Sequence, residues 1–214
     1  RHYNSNLSAK DYGLGFGWTW MAVKQLEIYN TLIQVRAGDG RGEPFSKNVS
    51  GLWIADADSQ LTLVQDTTGY TLTRQDDSVE RYDTTGKLTA ETSRNNRTTS
   101  YSNNSAGKLA SITGPFGQSP LTIAYGTDGR ISAITDPASG VYSYAYDTAG
   151  NLSRITYPDG KSRTYLYGET AHVSATPNAG VCYTHTLTGI VDENGNRFAS
   201  WTYDAAGRAT SSEH

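Results

Sequence analysis

The sequence predicts an all-β fold in which antiparallel hairpins are stacked one after another, and three observations carry that expectation. Tyr recurs at a fixed interval, an Asp-x-x-Gly tetrad follows it, and the segments between alternate aromatic with small or polar residues. Tyr125, Tyr146 and Tyr167 lie 21 apart (146 − 125 and 167 − 146), with Gly129 and Gly150 four residues after the first two. The tetrad reads "DTTG" from Asp66 to Gly69 and again from Asp83 to Gly86, "DTAG" from Asp147 to Gly150, and "DAAG" from Asp204 to Gly207. A self-similar period of this length marks a repeat architecture, which has to be recognised before any single element is assigned.

Each unit follows from its spelling. An Asp at the first turn position bonds the backbone two residues on, and a Gly accepts the positive φ that closes a type I turn with a bulge, so the tetrad is a hairpin corner. A second corner lies within each unit: "DPASG", "YPDG" or "DENG". Removing two corners of about four residues from each period leaves two strands of ordinary length, roughly six or seven residues. In "VYSYAY" and "SRTYLY" the alternation sets Tyr142, Tyr144 and Tyr146, or Tyr165 and Tyr167, on one face, and Trp201 and Tyr203 do the same in "FASWTY". The partner strand is less regular. Leu152 and Ile155, three residues apart, cannot share a face without a bulge after the Gly corner or a place for Leu152 at the strand margin.

The period loosens outside its centre. Between Tyr101 and Tyr125 "SNNSAG", ending at Gly107, replaces the tetrad, and the interval from Tyr167 to Tyr203 is 36 residues (203 − 167). The surplus falls around residues 168–186, an insertion at a surface corner where added chain costs little. Residues 70–214 are therefore expected to form the repeat array, and residues 1–69 a β region leading into it. In that first region "GLGFGW" sits in no strand-to-helix setting and has no following Lys-Ser/Thr, so it reads as a tight bend packing Trp18 and Trp20 rather than a phosphate loop. "FSKNVSGLWIADADSQLTLVQ" reads as strands and turns that plug, cap or extend the array.

Composition narrows the function. The chain of 214 residues is 36% hydrophobic and 18% charged, and its 15 Tyr suit amphipathic sheet faces. A net charge of −3 with scattered Lys and Arg gives no phosphate-binding stripe, which argues against nucleic acid. The single Cys182 excludes an internal disulfide, and no apolar run reaches the roughly 20 residues that span a bilayer. Cys182 and His185 lack a third orienting group for nucleophilic catalysis. His2, His172, His185 and His214 have no metal-ligand spacing, most Asp residues sit at turns, and the five N-x-S/T matches suit a chain rich in Asn, Ser and Thr. No catalytic residue, cofactor or metal is expected.

The "YDxxGxLxxI" units, the run "LTGIVDENGNRFASWTYDAAGRATSSEH" and the opening "YNSNLSAKDYGLGFGWTW" resemble the Rhs or YD-repeat family over nearly the whole chain. The resemblance implies part of a curved, hollow β-shell. Bacterial members use such a shell to enclose a C-terminal toxin domain, and toxin-complex C subunits and animal teneurins share the architecture. It implies as partners the remainder of the shell, an enclosed toxin domain and secretion machinery, and as location a secreted or delivered bacterial effector or the cell surface, cytoplasmic before export. Neither a self-cleavage segment after "GRATSSEH" nor a PAAR-like tip before "RHYNSN" is recognisable, so an interior piece of shell is expected. Its exposed sheet edges would favour self-association. The alternative expectation is a carbohydrate-binding module of a surface-anchored YD-repeat protein, in which the aromatic faces stack on sugars.

Overall fold

The computed structural model describes residues 1–20, 22 and 24–214; Met21 and Val23 lie outside the described residues. Among the described residues there are 20 strands and one 3-10 turn at Ser5–Leu7. Strand β1 (His2–Tyr3) pairs with β2 (Trp18–Thr19). Strands β3 (Gln25–Ile28), β4 (Leu32–Arg36), β5 (Gly42–Lys47) and β6 (Trp53–Ala55) form a four-stranded antiparallel sheet in chain order. A second sheet contains β7 (Thr62–Gln65), β8 (Tyr70–Thr73), β9 (Val79–Tyr82), β10 (Leu88–Thr92), β11 (Thr98–Asn103), β12 (Leu109–Thr113) and β13 (Leu121–Tyr125). It continues through β14 (Ile131–Thr135), β15 (Val141–Tyr146), β16 (Leu152–Thr156), β17 (Ser162–Tyr167), β18 (Leu187–Val191), β19 (Arg197–Tyr203) and β20 (Ala209–Glu213). Its 14 strands pair strictly in chain order, and β7 and β20 are its two ends, so the sheet does not close into a barrel.

Compactness divides the chain into two units, Trp20–Thr122 and Arg1–Thr19 with Ile123–His214. In Trp20–Thr122 the alternation of β4 buries Ile33 and Val35, which join Leu26, Phe45 and Trp53 from the small sheet and Leu63, Leu72 and Leu88 from the large one in a single apolar cluster. Each fully buried aliphatic side chain contributes about 1.5–3 kcal/mol. In Ile123–His214 the buried apolar positions are fewer and repeat with the units: Ile131 and Ile134, then Leu152 and Ile155.

A bulge explains how residues three apart share a face. In the β15–β16 pair Ala145 faces Arg154 but Tyr146 faces Leu152, which leaves Ser153 as the extra residue. Leu152, the first residue of its strand, and Ile155 are both 0% exposed as a result. The same shift leaves Thr89 extra beside β9, Thr188 beside β17 and Thr210 beside β19. An unpaired bulge residue disrupts the ladder, and a short hydroxyl repairs it locally. Ser153, Thr89 and Thr188 donate to the carbonyls of Ala145, Arg81 and Leu166 at 3.1, 3.0 and 3.2 Å.

The corners follow the chemistry of their Asp and Gly. Asp147 Oδ1 accepts from the Ala149 and Asn151 N–H groups at 2.9 and 2.8 Å, and Asp83 and Asp204 make the same pair of contacts two and four residues on. Asn104 does so in the corner that ends at Gly107. The tetrad from Asp66 to Gly69 has the spelling of the one from Asp83 to Gly86 but a different turn. Asp66 N–H donates to Gly69 O, and Gly69 takes φ +147°, whereas Asp83 N–H donates to Lys87 O and Gly86 takes φ +85°. At residue 69 the chain passes without an extra residue into β8, so Gln65 faces Tyr70 directly.

Candidate functional site

Three Tyr residues that end repeat strands in Ile123–His214 tie their strands to the one before. Tyr146 Oη donates to Ile131 O at 2.8 Å, Tyr167 Oη to Leu152 O at 2.9 Å and Tyr203 Oη to Leu187 O at 2.9 Å. Each acceptor is the first residue of the preceding strand, immediately after its corner. Buried carbonyls require a donor, and the phenol supplies one from a ring that also fills apolar space. Burial pushes the hydroxyls of Tyr146, Tyr167 and Tyr203 above their ordinary pKa, so they remain protonated donors.

Residues 1–19 form a strap across these corners. Asp11 accepts from the Gly13 and Gly15 N–H groups and pairs with Arg130 at 2.6 Å, while Gly13 O accepts from Ile131 N at 2.8 Å. Gly15, at φ +85°, lies so close to the Asp147 corner that a Cβ there would sit 2.7 Å from Leu152 N. Trp18 is 4% exposed, donates to Tyr167 Oη at 2.7 Å and stacks edge-on against Tyr165, with ring centroids 4.9 Å apart. Tyr3 Oη donates to His185 O at 2.6 Å and accepts from Leu187 N at 3.0 Å. The Gly-rich bend thus packs Trp18 inward and leaves Trp20 half-buried.

The insertion is also a clasp. Gly168 N bonds Thr186 O to close its base, while Asn178 N reaches Ala205 O and Tyr183 Oη reaches Asp204 O on the following corner. Asn151, 1% exposed, donates to Thr184 O at 2.9 Å and faces His185 Nδ1 at 2.7 Å. His185 stacks on Phe16, with ring centroids 3.9 Å apart. Cys182 is exposed and contacts Thr184 Oγ1 at 3.1 Å, which lowers the thiol pKa. These contacts pair His185 with Asn151 and Cys182 with Thr184. Arg197 binds both oxygens of Glu169 at 2.9 and 2.8 Å and approaches His172 Nε2 at 3.2 Å, fixing the start of the insertion to β18 and β19.

In Trp20–Thr122 Tyr82 at the end of β9 and Tyr101 inside β11 meet carboxylates. Tyr82 Oη donates to Glu80 at 2.6 Å, and Tyr101 Oη bonds Glu91. Glu80, 3% exposed, also receives Lys24 at 2.8 Å and Arg74 at 2.9 Å, and Lys24 bridges to Glu91. Burial alone would raise the Glu80 pKa, but the bonds from Lys24 and Tyr82 hold it below the usual value. The small sheet touches a corner here as well. Leu26 N donates to Gly86 O at 2.8 Å, and a Cβ on Gly86 would lie 2.3 Å from Leu26 O.

The remaining aromatic positions pack along the sheet. In β15 Tyr142, Tyr144 and Tyr146 are half-buried while Val141, Ser143 and Ala145 are exposed, as alternation requires. Tyr142 lies edge-on to Tyr157 at 6.1 Å, Tyr165 is buried under Trp18, Tyr125 is half-buried, and Trp201 meets His214 at 6.1 Å. Tyr3, Arg130, Asn151 and Glu80 escaped sequence reasoning, because each acts on residues distant in the chain. The basic residue after a corner Gly was the available signal: Lys87 lies over Gly107, and Arg130 lies over Gly150.

A repeated corner, a Tyr tied back to the preceding strand and strict neighbour pairing together define a wall element. The profile of the Teneurin YD-shell family matches residues 46–189. The chain belongs to that family. Its role is accordingly that of a structural shell domain. No curated relative matches the chain. Among solved structures it is similar to the TcdB2–TccC3–TEV crystal structure, at 15% identity and TM-score 0.45 over 95% of this chain and 12% of that one. The Photorhabdus luminescens Tc holotoxin pore aligns at 15% identity and TM-score 0.40 over 86% of this chain and 11% of that one. TcdB2–TccC3–Cdc42 aligns at 17% identity and TM-score 0.38 over 85% and 12%. The YD-shell segment therefore spans about an eighth or less of the solved chains it matches, since the covered shares are 12%, 11% and 12%.

Proposed function

We propose that this YD-shell segment is a length of wall that encloses, or helps to deliver, a separate toxin domain. The observation that carries the reading is the unbroken antiparallel succession from β7 to β20, reinforced in Ile123–His214 by Tyr hydroxyls bonded back to the preceding strand. A wall of this kind works by exclusion. Backbone groups satisfied within the sheet leave few openings for a protease or cytosolic target, and locally satisfied corners keep the hairpins from fraying. The partners in this reading are the remainder of the shell and the toxin domain, the setting is a secreted or delivered bacterial effector, and no residue is assigned a catalytic role. Residues 70–214 serve as the repeat array, and the strap and small sheet brace its corners.

The test uses the intact parent protein under limited proteolysis. Any non-repeat domain should survive while the wall is native and become cleavable when Gly150→Val opens a corner. Equal cleavage rates in the native and variant proteins would sink the proposal.

A further inference from the structure

Three consecutive hairpins in Ile123–His214 open with a strand at Ile131, Leu152 and Leu187. Each opening carbonyl is taken by the Tyr that ends the following strand. The opening N–H groups are met by residues 1–19, with one glycine of the strap at each. Gly13 O accepts from Ile131 N at 2.8 Å. Gly15 lies against Leu152, where a Cβ would sit 2.7 Å from the Leu152 N. Gly17 beds the Tyr3 ring, whose Cε2 lies 2.6 Å from the place of a Cβ on Gly17, and Tyr3 Oη accepts from Leu187 N at 3.0 Å. Gly13, Gly15 and Gly17 take φ values of +93°, +85° and +77°, so alternate residues of the strap bend once for each hairpin.

The third opening residue is not the one that the period selects. "YGTDGRIS" from Tyr125, "YDTAGNLS" from Tyr146 and "YGETAHVS" from Tyr167 align without a gap, which puts Val173 where Ile131 and Leu152 stand. The chain instead opens β18 at Leu187, 14 residues later (187 − 173). One reason is local. Ala171 occupies the place at which Gly129 and Gly150 take φ +80° and +83°, a conformation that strains a residue with a Cβ. The strap supplies another. Tyr3 Oη donates to His185 O while it accepts from Leu187 N, and Phe16 stacks on the His185 ring with centroids 3.9 Å apart. The residue two before Val173 is Ala171, which has no ring to offer Phe16.

We propose that residues 1–19 act as a single gauge across three hairpins. The strap docks as one unit when Ile131, Leu152 and Leu187 stand in a row, selects Leu187 over Val173, and so keeps residues 168–186 outside the wall. Its closure on itself suits that role: Tyr3 pairs with Trp18, Asn4 N donates to Gly17 O at 2.9 Å, and Gly17 N donates to Lys10 O at 3.0 Å. Leu14 and Trp18 anchor it, at 1% and 4% exposed. A loop closed in this way carries a change at one end to the other, whereas three separate contacts would respond one at a time.

The test follows amide exchange in the 214-residue chain after a change at either end of the strap. Tyr3→Phe removes the acceptor of Leu187 N, and Asp11→Ala removes the partner of Arg130 and of the Gly13 and Gly15 N–H groups. Either change should speed exchange at Ile131 and Leu187 together, each by roughly two- to twelvefold, the equivalent of one hydrogen bond, while the β15–β16 ladder keeps its protection. Phe16→Leu, which loses the stack on His185 but no side-chain hydrogen bond, should speed both in the same proportion. A response confined to Leu187 in Tyr3→Phe and to Ile131 in Asp11→Ala would overturn the single gauge. Selection of the opening residue is read by adding Ala171→Gly, which alone should leave exchange at Leu187 unchanged. Combined with Tyr3→Phe, it should speed that exchange by more than the product of the two single effects, as coupled sites do. A combined effect equal to the product would overturn the selection and leave the choice of Leu187 to sheet pairing alone.

Discussion

The two compact regions place Tyr in their repeat strands and secure the hydroxyls by different chemistry. In Ile123–His214 the hydroxyls of Tyr146, Tyr167 and Tyr203 bond neutral carbonyls one strand back. In Trp20–Thr122 those of Tyr82 and Tyr101 bond Glu80 and Glu91, whose charge is balanced by Lys24 and Arg74. The repeat therefore supplies a phenol on the strand and leaves its acceptor to the local environment. Where a second sheet covers the corners, a buried ion network can persist because several donors surround each carboxylate. Where only a strap covers them, a backbone acceptor suffices.

The largest effect should come from removing a centre of the charged arrangement. Glu80→Ala leaves Lys24, Arg74 and the Tyr82 hydroxyl without their shared acceptor, and breaking a buried pair in this way costs about 3–5 kcal/mol. Urea denaturation should show that loss, with amide exchange rising first in β9 and β10. A loss no greater than that of a surface substitution would mean that the network does not hold this region.

Corner substitutions should come next, and they separate backbone strain from close approach. Gly150 and Gly160 have nearly equal φ values, +83° and +80°, but a Cβ on Gly150 would lie 2.4 Å from Arg130 Nη2, whereas one on Gly160 would meet nothing within 4 Å. Val at either position incurs about 1–3 kcal/mol of strain. Gly150→Val should lower the melting temperature more than Gly160→Val, because it must also displace Arg130 from Asp11. Equal shifts would show that the arginine moves aside freely.

A smaller loss is expected at the neutral acceptors. Tyr167→Phe removes the donor to Leu152 O and the acceptor of Trp18 Nε1, two bonds of 2.9 and 2.7 Å. Leaving such groups unsatisfied costs about 1–3 kcal/mol in total if the site relaxes around them. The strap should loosen with it, read as faster exchange at Trp18 and Thr19. If exchange in the strap is unchanged, the Trp18 bond does not anchor it.

The sequence made the repeat legible because turn chemistry is local. Asp147 and Gly150 declare a corner within four residues, and the β15 alternation declares its face. The bulge was legible as a conflict, since Leu152 and Ile155 could not otherwise share a face, but not its use of Ser153. The tetrad from Asp66 to Gly69 shows the limit of such reading: the same letters as those from Asp83 to Gly86 fold differently because the following strand pairs without an extra residue. The strap was illegible. Gly13, Gly15 and Gly17 announce left-handed bends, with φ of +93°, +85° and +77°, but Gly13 and Gly15 meet residues more than a hundred positions away. Glu80 was hidden for a related reason: a charged residue in an alternating strand reads as solvent-facing unless its counter-ions are known.

Acid should sharpen the same contrast with the mildest perturbation, since it neutralises a charge without removing atoms. Burial by itself would raise the Glu80 pKa, yet the Lys24 and Tyr82 bonds and the nearby cationic charges hold it below the ordinary 4.5. A carboxyl with a depressed folded-state pKa contributes its stabilisation fully above the unfolded value and loses it as pH falls through the folded one. The Tyr146 and Tyr167 hydroxyls have pKa values raised by burial, so acid leaves their protonation and bonds to carbonyls unchanged. Glu169, held down chiefly by its bond from Arg197, will also respond, but it anchors the insertion rather than a Tyr end. Lowering the pH from about 7 to about 3 should therefore reduce amide protection, taken relative to the intrinsic exchange rate at each pH, in β9 and β10 before β15 and β16, and Glu80→Gln should flatten that dependence. Simultaneous loss in both sets of strands would mean that the charge network and the carbonyl ladder are not independent fastenings.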